Sequence, residues 1–211
     1  MVAISVLSFV TAAQGQLHFD FESGLQDWGI SGFGNGTETV GLSAFGATEG
    51  SAQALSMSHS GGDFSWDASW VSGDAGNSVY QALSAAAANP AGKTIEFDFT
   101  FSANGLPTFV DFSNVTFSLQ SDAGFKQVSN VAEIGGTAMD ATFHVSLPLD
   151  SGDLAGTTVD SSFYRLTFGP NVNAGGPPST WYVDNIRIVP EPTSAGLLGF
   201  GVIAWMLRRR R

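Results

Sequence analysis

Two tryptophans four residues apart, Trp66 and Trp70, stand in a stretch from 58 to 77 that is otherwise rich in Ser, Gly and Asp. Flat indole rings stack on the C–H faces of pyranose sugars, whose hydroxyls then need polar partners. Asp63, Asp67 and Gln81 are the candidates for those hydrogen bonds. A spacing of four suits one turn of helix or two positions on one strand face, so the rings could form a platform. They could equally be rim residues capping a core. Trp28 and Trp181 read as core.

Catalytic chemistry finds little footing. His18, His59 and His144 are scattered, and none belongs to a metal-binding spacing such as His-Glu-x-x-His. There is no Gly-x-Ser-x-Gly elbow, and Gly32-Phe33-Gly34-Asn35-Gly36 lacks the following helix that a phosphate cradle needs. Glu96 and Asp98 suggest glycoside hydrolysis, which needs two carboxyl groups about 5 to 10 Å apart across a cleft. They alternate with a phenylalanine row, however, and so are expected on the opposite, wet face of a strand. The expectation is a protein that is not an enzyme.

The other chemistry-bearing stretch is Val189 to Arg211. It joins Pro190-Glu191-Pro192 to an uncharged run from Ala195 to Leu207 and then to four arginines, Arg208 to Arg211. As a helix, the run covers roughly 20 Å against a hydrocarbon core of about 30 Å, which is short for a permanent anchor. Pro190 and Pro192 cannot sit inside a helix, so the segment must start after them, with Thr193 or Ser194 as a cap. The arginines are expected to stay on the cytoplasmic side, because guanidinium groups are costly to move through lipid. The body then lies outside the inner membrane. This tripartite tail closely resembles the PEP-CTERM sorting signal of bacteria that make exopolysaccharide. The resemblance implies an exosortase, a membrane transpeptidase-like partner that recognises Pro190-Glu191-Pro192 and processes the tail after transient anchoring.

At the front, Met1 to Val10 is a short apolar stretch, and Thr11-Ala-Ala-Gln-Gly15 supplies the small residues a signal peptidase needs. Residues 1–15 are read as a signal peptide cut after Ala13 or Gly15, although the usual preceding Lys or Arg is missing. A buried first strand is the competing reading.

Residues 16–188 remain as one domain with a proper core, and 189–211 form the sorting tail. The body holds four basic residues, Lys93, Lys126, Arg165 and Arg187, against eighteen acidic ones, a formal charge of −14. Such a surface repels nucleic acid and anionic lipid and suits calcium and neutral sugars better. The chain has no cysteine, which excludes disulfides, thiolate metal sites and cysteine nucleophiles.

Leu17, Phe19 and Phe21 alternate with His18, Asp20 and Glu22, the period of a half-buried strand. Thr94 to Phe101 is the clearest strand, with Ile95, Phe97, Phe99 and Phe101 on one face. Further strands are expected at Ala54 to Met57, Ser78 to Leu83, Phe109 to Gln120, Phe125 to Val131, Ala141 to Leu147, Ser162 to Phe168 and Thr180 to Val189. Ala85 to Ala88 continues a strand or makes one helical turn, and Gly169 to Pro178 is a loop. Nine or ten short strands without a long helix predict an all-β antiparallel sandwich. In the last strand Trp181 and Val183 are out of phase with Ile186 and Ile188. A bulge at Asp184-Asn185 would restore one inward face and re-aim Asp184.

Phe21-Glu22-Ser23-Gly24 with Trp28, Gly50-Ser51 before Ala54-Leu55, Tyr80-Gln81-Ala82-Leu83 ahead of Ala91-Gly92-Lys93, and Tyr182-Val183-Asp184-Asn185-Ile186 occur in this order. In this the body resembles jelly-roll carbohydrate-binding modules related to the galactose-binding-like fold. The resemblance implies a structural calcium held by Glu22, Asp184 and the Glu49-Gly50 segment, tying the two chain ends together. Calcium takes six to eight oxygens, which two carboxylates, carbonyls and water can supply. The bland alternative leaves Glu22 and Asp184 as solvated carboxylates. The whole sequence predicts an exported, exosortase-sorted surface or matrix protein whose sandwich binds carbohydrate. Its alternatives are a structural matrix subunit without ligand and a polysaccharide-cleaving enzyme.

Overall fold

Strands whose alternate residues are Phe, Val or Leu can bury one face each, and here they do so in two facing sheets. The computed structural model describes residues 17–33, 37–59, 66–101, 113–133, 141–150, 154, 156, 161–172 and 179–190. In order they form β1 (His18–Phe19), β2 (Gly29–Ile30), β3 (Thr39–Ser43), β4 (Ala54–His59), β5 (Ala68–Ser72), α1 (Ser78–Ala88) and β6 (Lys93–Phe101). Then come β7 (Ser113–Ser121), β8 (Gly124–Glu133), β9 (Ala141–Pro148), β10 (Tyr164–Val172) and β11 (Ser179–Pro190).

One sheet runs β3-β4-β11-β6-β9, with β1 also paired to β11, and the other runs β2-β5-β10-β7-β8. Every pairing is antiparallel. Between the sheets, Phe97, Phe117 and Phe168 form a mutual cluster with ring centroids 5.0 to 5.4 Å apart. Trp181 packs on Phe99 and Phe101 at 5.4 and 4.7 Å. Rings at these separations add edge and offset contacts to plain area burial. Leu17, Phe19, Phe21, Trp28 and Trp181 are all buried, as their alternation required.

The first strand is shorter than its pattern. Phe21 adopts φ +57°, which ends the pairing, and its N–H turns instead to Gln26 Oε1 at 3.0 Å. The register along β6 slips between Asp184 and Arg187, with one extra residue on β11 and Asn185 at φ +52°. This is the bulge that the phase change in β11 demanded. It keeps Ile186 and Ile188 on the inner face with Trp181 and Val183.

Ser78 to Leu83 is not a strand. It opens an 11-residue helix, α1, capped by Asn77, whose Oδ1 accepts from Val79 N at 2.9 Å and Tyr80 N at 3.1 Å. The run of alanines that follows has high helix propensity, and an N-cap satisfies donors that a strand would leave open. Leu83 and Ala86 are its buried residues, and the helix ends at Asn89 before Pro90. The polar stretch 58–77 contains β5, and the segment from Gly169, read as loop, begins as strand, with β10 continuing from Phe168 through Val172.

Candidate functional site

Outward residues of a sheet line up across strands, so its register shows which side chains meet. On the five-stranded sheet, Val71, Arg165, Gln120 and Phe125 stand in one cross-strand row. Ser69, Thr167, Ser118 and Gln127 stand in the next. Their in-line neighbours Trp70, Leu166, Phe168, Phe117 and Leu119 point into the core.

These rows floor a groove of about 420 Å³ lined by Phe33, Trp66, Ser118, Gln120, Phe125, Arg165 and Thr167. Trp66 is fixed from behind. Ser31 Oγ donates to its carbonyl, and the next residue is bonded on both sides, Asp67 N to Phe168 O at 3.0 Å and Ser31 N to Asp67 O at 3.2 Å. Its ring meets Phe125 edge-on at 5.7 Å. Phe33, whose N–H donates to Ser31 Oγ at 3.1 Å, lies 4.7 Å beneath the Arg165 guanidinium carbon. Phe33 and Phe125 are 60% and 49% exposed, which is a large apolar area to leave in water around a polar floor.

Of the described residues expected to grip sugar, Trp66 alone lines this groove. Trp70 belongs to the core: it is 1% exposed, sits on β5 facing inward and packs 5.9 Å from Phe19. The spacing of four fails because Trp66 precedes the regular alternation of β5. Asp67 is fully buried. Gln81 lies on α1, away from the groove lining, with Nε2 donating to Ala75 O at 3.0 Å. Asp63 lies outside the described residues. Sequence reasoning missed Phe33, Phe125, Arg165 and Ser118. The available signal was a lone Phe in the glycine-rich loop and another directly after the Asp122-Ala-Gly124 turn.

The six-stranded sheet carries a different cluster on its outer face. The connection between β3 and β4, residues 44–53, folds over that face. Gly46 at φ +90° lies against Tyr182, where an added Cβ would come within 2.4 Å of the Tyr182 Cβ. Thr48 then reaches two buried carboxylates that are register partners. Its N–H donates to Asp184 Oδ2 at 2.8 Å and its hydroxyl to Asp98 Oδ2 at 2.6 Å. Asn185 N donates to Asp184 Oδ1 at 2.8 Å, while Asp98 Oδ1 meets His144 Nδ1 at 2.8 Å. Asp98 is therefore not on a wet face: it is 6% exposed under Thr48 and His144.

Glu22, Glu49 and Asp184 are each held by separate protein donors. Glu22 Oε1 accepts from Ala52 N and Gln53 N at 2.5 and 3.1 Å. Glu49, at φ +50°, takes Arg187 Nη1 at 2.6 Å, and Arg187 also reaches Glu96 at 3.4 Å. The hydrogen bond to Glu49 raises the Arg187 pKa above its ordinary value. Among the described residues no three His, Asp or Glu side chains come together as a metal site.

The two ends of the sandwich meet at β11, whose final residue Pro190 pairs with Lys93. Residues 189–211 match the family described as the PEP-CTERM protein-sorting motif. The chain carries this sorting motif. It indicates an exported protein sorted to the cell surface and implies processing by exosortase. The PEP-CTERM segment starts without a linker, since Val189 and Pro190 still belong to the sheet. Glu191, Pro192 and the run from Ala195 to Leu207 lie outside the described residues, as do residues 1–15. Among the described residues no helix is long and apolar enough to cross a membrane.

No curated protein matches the chain in sequence. Among solved structures, a carbohydrate-binding module specific for non-crystalline cellulose, CBM28, superposes with a TM-score of 0.53 at 15% identity, covering 80% of this chain and 90% of that one. An exo-beta-agarase gives 0.51 at 13% identity over 84% of this chain and 25% of the agarase chain. The CBM27-1 module of Caldicellulosiruptor saccharolyticus, in complex with mannohexaose, gives 0.47 at 15% identity, covering 84% and 98%. At such identities the likeness is one of fold: the body is a jelly-roll β-sandwich.

Proposed function

We propose that this chain is an exported, exosortase-sorted cell-surface or matrix protein whose sandwich binds an extracellular polysaccharide without cleaving it. The observation that carries the reading is the open groove of the five-stranded sheet, where Trp66, Phe33 and Phe125 surround a floor of hydroxyl and amide side chains. Aromatic faces for C–H groups beside short polar side chains for hydroxyls are what a pyranose chain needs. Among the described residues the groove lining contains no Asp, Glu or His, whereas hydrolysis of a glycosidic bond generally uses a carboxylate pair. The fold shared with solved carbohydrate-binding modules supports the same reading.

A calcium ion held by Glu22, Asp184 and the Glu49-Gly50 segment is a separate proposal. An ion held by Glu22, Glu49 and Asp184 would first have to take Glu49 from Arg187 and Asp184 from Thr48.

The test is affinity electrophoresis of the full chain through gels containing soluble polysaccharides, with Trp66→Ala as the variant. Retention of the parent, weakened about thirtyfold or more in Trp66→Ala, is expected for loss of a central stacking ring. A parent protein that no polysaccharide retards would overturn the proposal.

A further inference from the structure

The body carries −14 formal charges, so its overall field disfavours an acidic ligand, yet the groove departs from that average. Three of its four basic residues are engaged or placed elsewhere. Arg187 is paired with Glu49 and Glu96, Lys93 Nζ donates to Ala85 O at 3.2 Å, and Lys126 stands beside Gly156. Arg165 is the exception. Among the described residues its guanidinium has no hydrogen-bond or ion-pair partner, and its Nε is buried without one. Its guanidinium carbon lies over the Phe33 ring, and the residue lines the groove.

A second group in the groove floor is left in the same condition. Ser118 is 1% exposed, and its Oγ has no partner. Buried polar atoms are normally satisfied, because an unmade hydrogen bond forfeits the hydration it gave up. Two such atoms lining one groove point to a ligand that supplies the missing contacts. Arg165 brings planar donors and no acceptor, a geometry that matches the two oxygens of a carboxylate or a sulfate. Among the described residues no Asp or Glu lines the groove to compete for it. The distant acidic surface is screened over about 8 Å at physiological ionic strength, so local contacts decide the preference.

We propose that the groove selects an acidic glycan, with Arg165 gripping a carboxylate or sulfate group on the sugar and Ser118 bonding the same residue of the polymer. This rests on the polysaccharide-binding reading above and narrows it to a substrate class. It also reverses the neutral-sugar preference that the net charge suggests.

The experiment compares the full chain on gels carrying polygalacturonate, a sulfated galactan, xylan and glucomannan. Stronger retention by an acidic polymer than by both neutral ones is expected, and which acidic polymer wins distinguishes carboxylate from sulfate. Arg165→Gln should weaken acidic-polymer retention at least about tenfold and bring the ratio of acidic to neutral retention down towards one. It should melt within about 3 °C of the parent, since it removes an unpaired group. Arg165→Lys keeps the charge but not the planar fork and should recover part of the loss. Equal retention by neutral polymers, or acidic-polymer retention indifferent to Arg165→Gln, would overturn the acidic preference and leave polysaccharide binding standing. Absence of retention by all four would sink both.

Discussion

The outer faces of the two sheets handle polar groups in opposite ways. On the six-stranded sheet, the 44–53 connection folds down and Thr48, Asn185, His144 and Arg187 answer the carboxylates of Asp98, Asp184, Glu96 and Glu49. On the five-stranded sheet nothing among the described residues answers Arg165 Nε or Ser118 Oγ, and Phe33 and Phe125 stand in water. A closed polar network holds a fold in register, whereas an open one with apolar walls is held ready for something else. The difference teaches that charge density alone misplaces the site: the acid-rich face is the structural one.

The sharpest way to break the comparison is to exchange its two tryptophans. Trp70→Ala should cost about 3–5 kcal/mol in chemical denaturation, because a fully buried ring leaves a cavity between the sheets. Trp66→Ala should leave that curve nearly unmoved while weakening polysaccharide retention about thirtyfold or more. If Trp66→Ala unfolds the protein instead, the groove is a structural rim. Next in size, Asp184→Ala strands the N–H groups of Thr48 and Asn185 and should cost about 1–3 kcal/mol. A chelator should not move the parent melting temperature, since protein donors already occupy Glu22, Glu49 and Asp184. A chelator-induced drop that Asp184→Ala removes would establish the calcium reading instead.

The smallest expected effect concerns acid. Hydrogen bonds from Ser162 N–H and its hydroxyl hold the Asp122 pKa below its ordinary carboxylate value. A depressed folded-state pKa contributes stability above the unfolded value, and that contribution is lost as pH falls through the folded one. Because Asp122 is fully exposed, Asp122→Asn should flatten the acid limb of a stability-against-pH curve only slightly. A large change there would mean that the turn into β8 is coupled to the groove.

The core was legible in the sequence because period-two burial is local: Leu17, Phe19, Phe21 and the β6 phenylalanines could be assigned face by face. The bulge at Asp184-Asn185 was legible for the same reason, as a phase error within one strand. The sorting motif could be read from composition and order alone. The groove was not. Its lining comes from a glycine-rich loop, a segment preceding β5, and three strands spread from 33 to 167, and only register brings them together. Likewise nothing local told Glu49 that its partner would be Arg187, 138 residues away. The helix α1 was missed because short Ala-rich runs fit either structure until Asn77 is recognised as a cap.

One consequence follows from where β11 sits. The last strand among the described residues is an inner strand of its sheet, flanked by β4 and β1 on one side and β6 on the other. Until residues 179–190 emerge, β4 and β6 have no neighbour to join them and the aromatic interior has no lid at Trp181. One stretch, β11, therefore both completes the described sheet and carries Val189 and Pro190, the first two residues of the sorting motif.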